Sequence, residues 1–180
     1  AMQQGVFNAN FICKKNEIKT FNSTAQGSQK WVNLINHQTS SSAISSLKKR
    51  GFKLFGTTLN QNAVDYRKFD YTSDTCFVLG SEKWGLSQSL INEVDECVFI
   101  PMRGMVQSLN VSVAASILLF EAIRQREAKG LITINGEGLN KTLYENTLFE
   151  WSYPELVKSY KNSGKKYPKL NMDGEINFEK

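Results

Sequence analysis

Short apolar runs alternating with helix-like segments predict an α/β domain with a largely parallel sheet. Three observations carry that prediction. Thr75 to Leu79 (TCFVL) is a compact run of β-branched and aromatic residues, the pattern of a central strand buried on both faces. Cys97 to Ile100 (CVFI) is a second such run, and it stops at Pro101, which cannot donate to a strand ladder. A polar loop follows, and then Val111 to Ile123, apolar almost all round and therefore expected as a buried helix.

The other elements follow in order. Gly5 to Ile12 (GVFNANFI) reads as a strand, and the small polar residues Asn22 to Gln29 as a loop. Trp31 to Ile35 is a short strand. Ser40-Ser41-Ser42 caps a helix that runs through Arg50, with Lys48-Lys49-Arg50 in its last turn and Gly51 at its end. Lys53 to Thr57 (KLFGT) is the next strand, and residues 60 to 74 read as a polar connection. Ser87 caps a short helix from Gln88 to Val94. The long helix starts at a cap supplied by Ser108 or Asn110, turns charged at Arg124 to Glu127, and stops near Gly130. Beyond it, Lys141 to Phe149 is helical. A last helix begins at Pro154, a favourable first-turn residue, and ends at Gly164. Residues 170 to 180 read as a frayed tail.

The chain has 180 residues, enough for a domain of ordinary size with a sizeable core. Hydrophobic residues make up 41% and charged residues 22%, the balance of a soluble globular protein. No apolar run approaches the roughly 20 residues that a membrane span requires, and no secretory signal is expected. Cys13, Cys76 and Cys97 are far apart and odd in number, so they read as buried free thiols. A single histidine, His37, and no cluster of ligands argue against a metal site and against a Ser/His/Asp set. The net charge of +5 is a mild bias toward polyanions such as RNA.

Open α/β sheets bind ligands beyond the carboxyl ends of their strands. Three loops qualify: Gly56-Thr57-Thr58, Gly80 to Gly85, and Pro101 to Leu109. Neither a dinucleotide fingerprint nor a phosphate-binding loop is present. Glu82 reads either as a hydrogen-bond anchor for a neighbouring loop or as a site carboxylate. Trp84 either stacks on a base or, the commoner role, closes the core. Ser108 and Asn110 place a hydroxyl and a carboxamide beside the free amides of a helix start, which favour electron-rich groups.

FVLGSEKWGLS (Phe77 to Ser87) followed by IPMRGMVQSLNVSVAASILLFEA (Ile100 to Ala122) resembles the second and third motifs of the SpoU, or TrmH, family of RNA 2′-O-ribose methyltransferases, of the SPOUT class. AQGSQKWV (Ala25 to Val32), LKKRGFKLFGTTL and NAVDYRKFDYT extend the likeness. So does TLFEWSYPELVKSYKNSGKKYP near the end, an extension typical of the tRNA-acting members.

The resemblance implies a deep trefoil knot, a rare topology that no periodicity argument proposes. It implies a methyltransferase domain over residues 1 to 130 and a C-terminal helical extension over 131 to 180. It also implies S-adenosylmethionine held by main-chain contacts at Thr57, Gly80, Ile100, Met102, Gly104 and Leu109, with Val106 nearby. Glu82, Ser108 and Asn110 match the family's polar site residues. Lys161, Lys165 and Lys166, in a lysine-bearing C-terminal stretch, read either as a solvated helix face or as contacts to RNA phosphates. The implied partners are tRNA, with a D-loop guanosine as target, and a second copy of the chain, in the cytoplasm; neither membrane nor metal is expected. The family's first motif, an asparagine followed by an arginine, should precede the strand near Val6. It is not in this sequence, whose first arginine is Arg50. We therefore expect a chain shortened at its start; the other readings are a ribosomal-RNA enzyme and a non-catalytic RNA- or cofactor-binding remnant. Arg103 is a possible substitute cation.

Overall fold

The computed structural model describes residues 8–12, 32–81, 83–104, 109–132 and 141–177. It divides into two compact units, Ala1–Leu131 and Ile132–Lys180. In the first, β1 (Asn8–Ile12) and β2 (Asn33–His37) form a parallel pair. A second sheet holds β3 (Lys53–Thr57), β4 (Val64–Asp65), β5 (Thr75–Val78) and β6 (Glu96–Phe99), in the order β4-β6-β3-β5. Every pairing in it is parallel, as the alternation of strand and helix predicts.

Among the described residues three helices accompany the sheets: α1 (Ser40–Lys49), α2 (Gln88–Glu93) and α3 (Val111–Ala128). Side chains on a strand alternate between faces, and β3 shows the consequence. Phe55 joins Tyr71 and Val98 with Leu118 and Ala122 of α3. Its neighbour Leu54 joins Ile44 and Leu47 of α1, with Leu90 of α2 against them. The sheet is thus covered on both faces, which is why its strands read as nearly continuous apolar runs. Edge-to-face rings lock the first cluster, with Phe55 and Tyr71 centroids 4.9 Å apart and Tyr71 and Phe77 5.1 Å apart.

Several expectations need correction. The cap of α1 is Thr39, whose hydroxyl accepts from the Ser42 amide at 3.2 Å, rather than one of the three serines. β2 lies at Asn33–His37, sharing residues 33–35 with the expected Trp31 to Ile35 and running two residues further; Trp31 lies outside the described residues. Polar cross-strand bonds tie it to β1, from Asn33 to Asn8 (3.1 Å) and between His37 and Asn10 (2.9 Å), and an apolar pattern does not reveal these. The connection 60 to 74 is not merely polar. Val64 and Asp65 pair with β6, a 3₁₀ turn spans Tyr66–Lys68, and Tyr71 is fully buried. α3 is not buried nearly all round: only Leu118 and Ala122 are, while Val113 and Phe120 are exposed. One small sheet covers one stripe of a helix. Cys76 and Cys97 are free and half-buried, and burial pushes the Cys76 thiol up to about 11; Cys13 lies outside the described residues.

The second unit contains α4 (Lys141–Ser152) and α5 (Pro154–Ser163), the latter closed by Gly164 in the left-handed region. Phe149 is fully buried, with Tyr153, Tyr160 and Tyr167 around its ring. The tail is ordered through residue 177, against expectation. Leu170 and Ile176 form a bridge, Asn171 Oδ1 accepts from the amides of Asp173 (3.0 Å) and Glu175 (2.8 Å), and Tyr153 Oη donates to Gly174 O (3.0 Å). These polar turns order a stretch that has little apolar content.

Candidate functional site

Because β5, β3 and β6 are parallel neighbours, their carboxyl ends open on one edge of the sheet. Thr57 ends β3, Gly80 lies two residues beyond β5, and Ile100 follows β6 directly. The Thr57 hydroxyl donates to Val78 O (3.3 Å) and the Thr58 amide donates to Val98 O (3.0 Å), tying the end of β3 to both flanking strands. Leu79 and Ile100 pack on the aromatic core. The fold therefore brings Thr57, Gly80 and Ile100, distant in sequence, to a single edge.

Met102 and Gly104 continue from Ile100 on an exposed loop, and Leu109 is half-buried just before α3. Asn110 caps that helix, its Oδ1 accepting from the Ser112 amide at 2.8 Å. Glu82, Val106 and Ser108 lie outside the described residues. The edge offers half-buried apolar side chains at Leu79 and Ile100 beside main-chain donors and acceptors. That combination suits a flat heterocycle whose rim carries donors and acceptors, and the exposed cations Lys83 and Arg103 suit a polyanion.

The loop after β5 is tightly built. Ser81 and Gly85 exchange two backbone bonds (3.2 and 2.8 Å), and Ser81 Oγ accepts from the Trp84 amide at 3.2 Å. Gly85 has φ +63, a conformation that favours glycine. A Cβ on Gly80 would overlap the backbone of Gly85 and Leu86. Trp84 does not close the core: it is 78% exposed, with the Lys83 ammonium 4.8 Å from its ring centroid.

Away from this edge, the C-terminal turns of α3 pin the connection that leads from β4 into the start of β5. Gln125 Oε1 accepts from the Tyr71 amide (2.8 Å) while Nε2 donates to Phe69 O (2.9 Å) and to Glu121 (2.8 Å). A bidentate bond from Arg67 holds the Asp65 carboxyl down near 2. Glu121, hydrogen-bonded by Arg124 and Gln125, is likewise shifted down. In the second unit, Lys161 pairs with Glu150 at 2.9 Å, and Tyr167 donates to the same carboxylate at 2.8 Å. Lys165 and Lys166 are exposed. Among the described residues no cluster of ligating side chains could hold a metal ion, and no helix is long and apolar enough to cross a membrane.

A parallel sheet flanked by helices, with glycine-bearing loops gathered at its carboxyl edge, defines an α/β ligand-binding domain. Its sequence matches the SpoU rRNA Methylase family over residues 4–120 and the C-terminal SpoU rRNA methylase region over 124–178. The chain belongs to the SpoU methylase family. It is 41% identical over 172 residues to the tRNA (guanosine(18)-2'-O)-methyltransferase of Escherichia coli, covering 96% of this chain and 75% of that one. The Thermus thermophilus protein of the same name is 44% identical over 147 residues, covering 82% and 75%. Among solved structures, the Aquifex aeolicus TrmH/SpoU tRNA modifying enzyme superposes with a TM-score of 0.77 at 35% identity, over 86% of this chain and 78% of that one. The SpoU methyltransferase AviRb from Streptomyces viridochromogenes, in complex with AdoMet, superposes with 0.63 at 26% identity, over 70% and 52%.

Proposed function

We propose that the protein methylates the ribose 2′-oxygen of guanosine 18 in the D-loop of tRNA, using S-adenosylmethionine. The observation that carries this reading is the kinship with two tRNA (guanosine(18)-2'-O)-methyltransferases over most of the chain. The AdoMet complex of a 26% identical relative supports the cofactor. The cofactor, when bound, would supply an electrophilic methyl group to the 2′-oxygen and leave as a neutral thioether, with the hydroxyl proton passing to solvent.

The chain's own residues bind and orient. Main-chain groups at Thr57, Gly80, Ile100, Met102, Gly104 and Leu109 hold the cofactor, and the half-buried Ile100 and Leu109 exclude water from it. Glu82, Ser108 and Asn110 place polar groups beside the ribose, whose alignment is worth more than any single contact. The domain over residues 1 to 130 adopts the family's trefoil knot. Two copies pair through the exposed face of α3, and Lys161, Lys165 and Lys166 of the extension over 131 to 180 meet RNA phosphates. A tRNA-modifying role sets the reaction in the cytoplasm. Membership of a family of rRNA methylases favours one second reading, a ribosomal-RNA substrate.

Incubation with methyl-labelled S-adenosylmethionine and either tRNA or ribosomal RNA, followed by nuclease digestion and mass spectrometry, tests the proposal. It predicts label in 2′-O-methylguanosine from tRNA alone, at a rate lowered about tenfold or more by Asn110→Ala. Label on a base, or on ribosomal RNA alone, refutes it.

A further inference from the structure

We propose that Trp84 is the stacking surface for an unpaired nucleobase of the RNA substrate. The inference rests on the RNA-methyltransferase reading above and adds the residue that orients the base.

A tryptophan side chain carries a large apolar area, and leaving it in water is unfavourable unless a ligand covers it. Trp84 is 78% exposed, yet its backbone is firmly held within the loop. The reciprocal Ser81–Gly85 bonds (3.2 and 2.8 Å) and the Trp84 amide bond to Ser81 Oγ (3.2 Å) close the turn. Buried Leu86 and the close approach of Gly85 to Gly80 anchor it to the sheet. The turn is too short to fold the ring back onto the core. Lys83 lies over one face of the indole with its ammonium 4.8 Å from the centroid, a flexible cation that leaves the other face open to a base and can itself move to a phosphate.

The position narrows the ligand. The loop leaves the carboxyl end of β5, the edge that also carries Thr57 and Ile100. Two other exposed apolar side chains, Leu59 (64%) and Met102 (37%), sit on the loops leaving β3 and β6, the neighbouring strands of the same edge. Apolar side chains scattered singly over a surface mean little. Three on adjacent loops, interspersed with Lys83 and Arg103, form an apolar rim set in positive charge, the chemistry that receives splayed bases of single-stranded RNA. A 2′-hydroxyl can be aimed only if its nucleoside is fixed, and stacking the base fixes it.

The test uses Trp84 as its own reporter. The chain has three tryptophans, so Trp31→Phe with Trp151→Phe leaves only Trp84 fluorescent. This chain is titrated with an RNA hairpin bearing an unpaired loop guanosine, and with the same hairpin abasic at that nucleotide. We expect quenching by the guanosine hairpin and binding about tenfold weaker, with little quenching, for the abasic one. In the otherwise unchanged chain, Trp84→Ala should weaken hairpin binding about tenfold and Trp84→Phe by less than about threefold, since phenylalanine still stacks. Equal quenching by both hairpins, or RNA binding unaltered by Trp84→Ala, overturns the proposal. So does a fall in molecular mass of Trp84→Ala by light scattering that accounts for its loss of RNA binding, since Trp84 would then be a contact between copies. Calorimetric titration of S-adenosylmethionine reports on the family reading by itself and should be the same for all these chains. Normal cofactor binding with unaltered RNA binding in Trp84→Ala sinks the stack alone. A chain that binds no cofactor sinks the methyltransferase reading, while the two hairpins still decide the stack.

Discussion

Gly80 has no room for a side chain. The backbone of Gly85 and Leu86 occupies the space where a Cβ would stand, so the loop after β5 can close only over a glycine. Gly80→Ala should push this turn outward and destabilise the fold by about 2 kcal/mol, as forced overpacking does. A drop in the urea midpoint at unchanged slope measures it; unchanged stability would mean that the turn is not held as described. Residue identity in the sequence was a partial guide here. The pattern Gly-x-x-x-x-Gly flanking Glu82, Lys83 and Trp84 marked the loop, but nothing local showed which glycine is sterically required. Trp84 was harder still, because an aromatic in a polar turn reads equally as a core plug or an exposed platform. The available signal was the brevity of the turn between Ser81 and Gly85, whose mutual bonds leave no slack to bury the ring.

At the scale of elements, short apolar runs bounded by glycine, proline or charge were legible. β3 begins at Lys53 and ends at Thr57 as its composition indicates, and Ser87 caps α2 through its bond to the Leu90 amide. β4 was not legible because two residues held by backbone pairing carry no periodic pattern. The aromatic residues Tyr66, Phe69 and Tyr71 were hidden among charges, and their role depends on α3, more than fifty positions away. Gln125 makes that link, bonding both the Tyr71 amide and Phe69 O. Gln125→Leu should cost about 1–3 kcal/mol by leaving those groups unpaired, again read from the denaturation midpoint. A loss within error would show that water replaces the carboxamide. The exposed side of α3 bears on assembly. Phe120 is 60% exposed, so Phe120→Glu should leave the monomer folded, with unchanged circular dichroism, and convert a dimer to a monomer by light scattering. Retained dimer mass would move the pairing surface elsewhere.

For the whole molecule, the alternation of strand and helix was enough to predict parallel pairing, and both sheets are parallel throughout. The order β4-β6-β3-β5 was out of reach, since pairing between segments far apart in sequence is decided by packing on both faces of β3. The candidate site was legible only as polar loops following strands, whereas the particular residues Thr57, Gly80 and Ile100 came from resemblance to a known family. Their meeting at one edge is the physical claim on which the function depends, and hydrogen exchange with mass spectrometry tests it directly. Saturating S-adenosylmethionine should slow exchange in peptides covering residues 55–60, 78–86 and 100–110 together, leaving α1 and the second unit unchanged. Protection confined to one of these segments, or found elsewhere in the chain, would contradict the account.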